Sequence, residues 1–79
     1  MFFTLDALGT GQDGVISLIN VGDDLLPRFA ALGLSVGKTV KVVRRGRWAG
    51  PLHVRVGTTE LIIRKRDACG IQLRPLLIN

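Results

Sequence analysis

One segment of the chain has the apolar spacing of a helix. Leu25, Phe29 and Leu32 recur at i, i+4 and i+7, which places them on one face of a helix that we expect to pack on the core. Asp24 precedes the first of them and suits a helix N-cap, while Gly33 is the residue best able to take a left-handed stop. The pattern therefore predicts one short helix of about eight residues, which depends on tertiary packing for its stability.

Elsewhere the apolar positions alternate with polar ones, as in strands with one buried face. Turn residues separate these runs, and Gly57–Thr58 suits a tight hairpin. We expect core positions at Leu32, Val42, Val54 and Ile63, and a single helical turn at 67–69. The predicted strands cover residues 15–20, 40–45, 52–56, 61–64 and 71–74.

Together these elements predict a mainly β fold. About five short strands, with one short helix inserted after the first strand, favour a small closed or nearly closed barrel, because closure removes exposed sheet edges. Seventy-nine residues suffice for one domain, which we expect to span 1–79.

Charge is distributed unevenly along the chain. The formal net charge is +5, but residues 1–40 carry two basic and four acidic residues, and residues 41–79 carry nine basic and two acidic residues. The second part therefore favours an acidic partner: protein, nucleic acid or anionic lipid. No apolar run is long enough for a membrane helix, and the start lacks the features of a signal peptide. With a single cysteine, we expect a cytosolic protein.

Residues with catalytic or metal-binding chemistry are few. The only histidine is His53 and the only cysteine is Cys69, so no cluster of metal ligands, cofactor motif or catalytic constellation can be assembled from the sequence. We expect His53 to be structural or solvated and Cys69 to be a small buried hydrophobe in a turn against the barrel. The sequence predicts no enzyme, metal site or cofactor.

Two surface features are candidates for partner binding. The first is a basic loop with the only tryptophan, in which Arg44, Arg45 and Arg47 surround Trp48. Trp48 either contacts a partner or folds back as a lid over one end of the barrel, and the sequence favours neither. The second feature is Leu26, which lies about 100° from Leu25 on the helix and either plugs the barrel edge or contacts a partner.

Several segments, in this order and with these gaps, resemble the ferrous iron transport protein A (FeoA) family. They are residues 28–34, 40–43, 50–56 and 61–64, followed by Ala68 and Ile71–Leu73, and the resemblance spans about Leu5 to Leu73. It implies a small SH3-like barrel with a helix inserted early in the chain. The stretch from Arg44 to Trp48 is the least family-like part.

The resemblance also implies a function. FeoA-family proteins are cytosolic, non-enzymatic accessories of ferrous iron uptake, so the expected partner is the membrane ferrous iron transporter of the FeoB type, which carries a cytosolic GTP-binding domain. The protein would then be cytoplasmic and peripheral to the inner membrane face, and its basic half could lie near anionic lipids. Arg55 belongs to this basic half and is a further candidate contact.

Two alternatives remain open at this point. A basic nucleic-acid-binding barrel could follow phosphates with Lys41, Arg45, Arg55, Arg64 and Arg74, but single-strand binders add several stacking aromatics and here the basic half has only Trp48. The chain could also be a stand-alone relative of the SH3-like domain of iron-dependent repressors, although it lacks their helix-turn-helix domain.

Overall fold

The computed structural model describes residues 2–48 and 50–76. Besides a 3-10 turn at Leu5–Ala7, these residues form six strands and two helices. In chain order they are β1 (Phe3–Thr4), β2 (Asp13–Ile19), α1 (Leu25–Ala31), β3 (Thr39–Arg45), β4 (Leu52–Val56), β5 (Thr59–Ile63), α2 (Lys65–Ala68) and β6 (Ile71–Arg74).

The strands form one antiparallel sheet with the order β1-β6-β2-β3-β4-β5. The mainly β prediction is therefore confirmed, with one strand more than expected. Strand β1 is only two residues long, too short to show an alternation of apolar and polar positions. Register shifts in β2, between Ile16 and Leu18, and in β3, between Val42 and Arg44, bend the sheet, since a bulge increases the local twist of its strand.

The core lies inside the curved sheet. Val42, Val54 and Ile63, three of the four predicted core positions, are at most 1% exposed. Their alternation with exposed Lys41 and Arg55 is what a half-buried strand requires, because successive side chains point to opposite faces.

The fourth predicted core position, Leu32, is wrong, since this side chain is 46% exposed. Helix α1 ends at Ala31, and Gly33 takes a φ of 91°. The Leu34 amide then donates to the Phe29 carbonyl at 2.9 Å, and the Gly33 amide donates to Ala30 at 3.0 Å, the bonding of a Schellman motif. This reversal buries Leu34 rather than Leu32 against the core.

The start of α1 is as predicted in position but not in bonding. Asp24 is the N-cap residue, yet its side chain makes no capping hydrogen bond. Phe29 is buried and Leu25 half-buried, so these two residues form the inward face of the helix.

The prediction that Cys69 is buried is also wrong. Helix α2 has one turn and begins two residues earlier than expected, with Cys69 as its C-cap. A single turn directs only one side chain fully inward, and Ala68 takes that position with no exposed surface. Cys69 is exposed as a result.

Candidate functional site

The loop between β3 and β4 (residues 46–51) is closed tightly at its base. The Gly46 amide donates to the Pro51 carbonyl at 2.8 Å, and the Gly50 amide donates to the Arg47 carbonyl at 2.9 Å. A Cβ on Gly50 would lie 2.8 Å from that same Arg47 oxygen, so this position has no room for a side chain. The two glycines therefore allow the backbone to approach itself closely at the ends of this short loop.

Trp48 lies in this loop and is 96% exposed, so it does not cover the barrel as a lid. The 3-10 segment lies against the end of β3 instead, with Leu5 and Leu8 buried. Trp48 also has a φ of 56°, a left-handed conformation that costs a residue with a Cβ roughly 1–2 kcal/mol. A bulky aromatic residue in this conformation, held in solvent, is unfavourable in the isolated protein and is typical of functional loops.

Three arginines precede or flank Trp48, and they have different surroundings. The Arg45 guanidinium turns onto the fold, where its Nη1 donates to the Asp6 carbonyl at 2.7 Å and to the Leu8 carbonyl. Arg44 and Arg47 are exposed. Arg45 therefore holds the N-terminal segment against the base of the loop, while Arg44 and Arg47 offer charge to a partner.

Arg55 belongs to a charged cluster on the outer face of β4 and β5. His53 Nε2 lies 2.5 Å from Glu60 Oε1, and Arg55 Nη2 lies 3.1 Å from Glu60 Oε2. These two neighbours, Arg55 first, hold the pKa of Glu60 below its usual range. Glu60 thus pairs with Arg55 and His53, and the cluster is a set of cross-strand contacts on an exposed face.

A groove of about 330 Å³ runs between α1 and β5. Its apolar lining includes Leu32 from the end of α1 and Ile62 from β5, which are 46% and 66% exposed, above buried Phe29. Arg28 also lines it, and it has no ion pair among the described residues. The groove therefore combines an apolar floor with two charged lining residues, Glu60 and Arg28, of which Glu60 is already paired.

Sequence analysis missed this groove, although one signal was present. Ile62 occupies an outward strand position, between the outward Glu60 and Arg64, where a polar residue is expected. Helical spacing assigns Leu32, which lines the same groove, to the core. The sequence alone therefore gives no reason to place Leu32 and Ile62 on one exposed surface. Leu26, 43% exposed, follows Leu25 on α1 and is not part of the groove lining.

The predicted partner-binding residues therefore do not form one site. Arg47 and Trp48 lie in the β3–β4 loop, and Arg44 lies near the end of β3, directly opposite His53 on β4. Arg55 belongs to the Glu60 cluster and Leu26 to helix α1.

Little in the described residues could hold a metal or cofactor. Across 2–48 and 50–76, no three His, Cys, Asp or Glu side chains are grouped as metal ligands. The thiol of Cys69 has its pKa raised, mainly by a hydrogen bond to the Asp6 carboxylate, so it is less readily ionised than a free thiol.

A family model, the FeoA domain, matches residues 3–75. The chain belongs to the FeoA family. The family is associated with ferrous iron transport and comprises small accessory domains that are not known as enzymes. This agrees with the fold and iron-transport predictions made from the sequence.

Solved FeoA structures share this fold. An iron uptake regulatory protein (FeoA) is 28% identical, with a TM-score of 0.83 over 96% of this chain and 100% of that one. The FeoA of Stenotrophomonas maltophilia, crystallised with zinc and described as a prokaryotic SH3 domain protein, is 26% identical, with a TM-score of 0.71 over 94% of this chain and 99% of that one. The SH3-like fold expected from the resemblance is thereby confirmed.

A manganese-dependent transcriptional repressor has the same fold in part of its chain. It is 25% identical with a TM-score of 0.84, and the match covers 95% of this chain but only 42% of the repressor. Comparison with curated protein sequences gave no significant match. Among the residues described, no helix has both the length and the apolar character needed to cross a bilayer.

Proposed function

We propose that this protein is a cytosolic, non-enzymatic accessory of ferrous iron uptake that binds and modulates the membrane ferrous iron transporter. The partner is a transporter of the FeoB type, contacted through its cytosolic part with the GTP-binding domain. Family membership supports the link to ferrous iron transport. The Stenotrophomonas maltophilia relative is described as a candidate ferrous iron transport activating factor, which agrees with an accessory role.

The groove between α1 and β5 is the observation that carries the proposal. An isoleucine that is 66% exposed on a strand, beside a half-exposed leucine on a helix, leaves apolar surface in contact with water. Such surface, bounded by polar residues, is typical of protein interaction sites. In a domain of this size it has a cost to solubility that a binding partner would remove.

The charges around the groove indicate the chemistry of the segment that fits it. Glu60 is already matched by His53 and Arg55, whereas Arg28 has no ion pair within the described parts of the chain. The groove therefore suits a transporter segment with an apolar side chain for Leu32 and Ile62 and a carboxylate for Arg28. Leu26, on the adjacent side of α1, would contact the same partner.

A titration of labelled protein against the detergent-solubilised transporter tests the proposal, with a DNA duplex as the control ligand. We expect saturable binding to the transporter at physiological salt and no comparable binding to DNA. Leu26→Gln should weaken transporter binding if α1 lies in the interface. Binding to DNA alone would instead support a nucleic-acid function and refute the adaptor.

The likeness to the repressor does not favour a second function. It concerns the fold of one part of that protein, and the FeoA-family match covers most of this chain. The described aromatics of the basic half are limited to Trp48, so they do not form the stacking surface that single-strand nucleic-acid binding uses.

A further inference from the structure

The groove leaves the most exposed aromatic residue of the protein unexplained. Trp48 is 96% exposed and has a left-handed backbone conformation, in a loop whose base is fixed by two hydrogen bonds. Arg45 adds a second restraint, because it joins the end of β3 to the carbonyls of Asp6 and Leu8. The indole is thus presented by a loop with a defined base.

The charge around Trp48 has one sign. Residues 44–51 include three arginines and no acidic residue. Since Arg45 is turned onto the fold, Arg44 and Arg47 are the two arginines of this segment that are exposed to solvent. An exposed amphipathic ring, with two exposed arginines within four residues of it in the chain, matches the boundary between anionic headgroups and acyl chains, where tryptophan and arginine are both favoured.

We infer that the β3–β4 loop is a membrane contact, in which Trp48 enters the headgroup region of an anionic bilayer while Arg44 and Arg47 bind lipid phosphates. This deepens the proposed function, because a protein that serves a membrane transporter gains local concentration by touching the same bilayer. Two arginines and one ring give weak, reversible attachment by themselves. The groove and the loop would then bind two different partners, the transporter and the lipid.

A lipid surface fits the shape of this loop better than a protein pocket does. Energetically important residues of protein interfaces lie near the centre of a contact, surrounded by other packed residues that exclude water. Trp48 instead lies in a short loop and is almost wholly exposed, and Arg44 and Arg47, its near neighbours in sequence, are exposed as well. A fluid bilayer interface needs no preformed ring of contacts, since lipids adjust around the inserted side chain.

The single tryptophan makes the test direct, because all indole emission reports this one position. The native protein is mixed with phosphatidylcholine vesicles containing about one-third phosphatidylglycerol, and with phosphatidylcholine vesicles alone. We expect a blue shift and protection from an aqueous quencher with the anionic vesicles, and quenching by brominated lipid. With neutral vesicles the shift should be much smaller.

Matched variants separate insertion from general attraction between charges. Arg44→Gln with Arg47→Gln should lower the partition coefficient by about fivefold per arginine. The control pair Arg66→Gln and Arg74→Gln, at exposed basic positions outside the loop, removes the same charge and should have a smaller effect. Trp48→Ala should weaken binding measured by vesicle co-sedimentation, and Trp48→Phe should restore part of it.

Three results would overturn the inference. The protein could bind anionic vesicles while Trp48 remains fully accessible to the aqueous quencher, or show no spectral shift at saturating lipid. Alternatively, Trp48 could shift only when the solubilised transporter is added without vesicles, which would place the loop in a protein interface. Because the vesicles contain no transporter, failure here is distinct from failure of transporter binding.

Discussion

The two exposed surfaces of this protein differ in how they are built. The groove is concave, and its lining comes from a helix and a strand that are distant in sequence, so its shape depends on how α1 packs on the core. The β3–β4 loop projects from the sheet and is shaped by local hydrogen bonds within six residues. A shaped groove can select a particular segment of a protein, whereas an exposed ring with exposed arginines close to it in sequence suits a surface without fixed shape. One small barrel can therefore present two exposed surfaces of different shape and chemistry.

The largest loss of stability should come from truncating the core residue that directly follows α1 and its Gly33 turn. Leu34→Ala removes a side chain that is 1% exposed, and we expect it to lower the free energy of unfolding by about 3 kcal/mol. Leu32→Ala, two residues away and half-exposed, should cost less than about 1 kcal/mol. Urea denaturation of both variants measures the difference. Equal losses would show that Leu32 and Leu34 do not have the separate roles described.

The next largest loss of stability should come from removing the Arg45 hydrogen bonds at the base of the loop. Arg45→Met keeps much of the side-chain length but removes the bonds to the Asp6 and Leu8 carbonyls, and we expect a loss of about 2 kcal/mol in unfolding free energy. Arg44→Met is the control, because Arg44 is exposed, and should change stability by less than about 0.5 kcal/mol.

The same pair of variants shows whether the loop can be changed without affecting the groove. Fluorescence anisotropy of Trp48 should fall in Arg45→Met, since the loop base loses a restraint, while transporter binding through the groove stays unchanged. An unchanged anisotropy would mean that Arg45 does not stiffen the loop.

The smallest expected effect is a pH dependence of folding stability that arises from the carboxyl group of Asp6. The pKa of Asp6 is lowered, chiefly by a hydrogen bond from Thr4. A carboxyl whose pKa is lower in the folded protein stabilises it above the unfolded value of about 4, and this contribution is lost as the pH falls through the folded pKa. Because Asp6 is partly exposed, we expect less than about 1 kcal/mol.

Urea melts at neutral pH and at about pH 3 measure this contribution. Asp6→Asn should narrow the difference in stability between the two conditions, and Asp13→Asn, at an exposed strand position, is the matched control. An unaltered difference in Asp6→Asn would rule out a contribution from this carboxyl.

Most of the fold could be predicted because its strands alternate regularly. Every second residue is buried in β3, at Val40 and Val42, and in β4, from Leu52 to Val56. This spacing alone predicts which side chains of each strand point into the core. The Leu32 error had a different source. Helical spacing is local, but the Schellman turn at Gly33 redirected the chain and gave the buried place to Leu34.

The candidate site was less predictable than the fold. The basic loop could be recognised from its composition. The structure was needed to show that Arg45 donates a hydrogen bond to the Asp6 carbonyl and that Trp48 is exposed. The groove depends on the approach of α1 to β5, a long-range contact that no local pattern describes. Ile62 at an outward strand position was the one usable signal.

The affinity of Ile62→Thr for the solubilised transporter decides whether the groove binds the ferrous iron transporter, as we propose. Threonine keeps the β-branched shape that suits a strand while removing apolar surface from the groove. Val36→Thr is the matched control, since Val36 is 61% exposed outside the groove lining. We predict about tenfold weaker binding for Ile62→Thr and native binding for Val36→Thr. Native affinity in Ile62→Thr, with the fold intact, would show that the groove is not the transporter-binding surface.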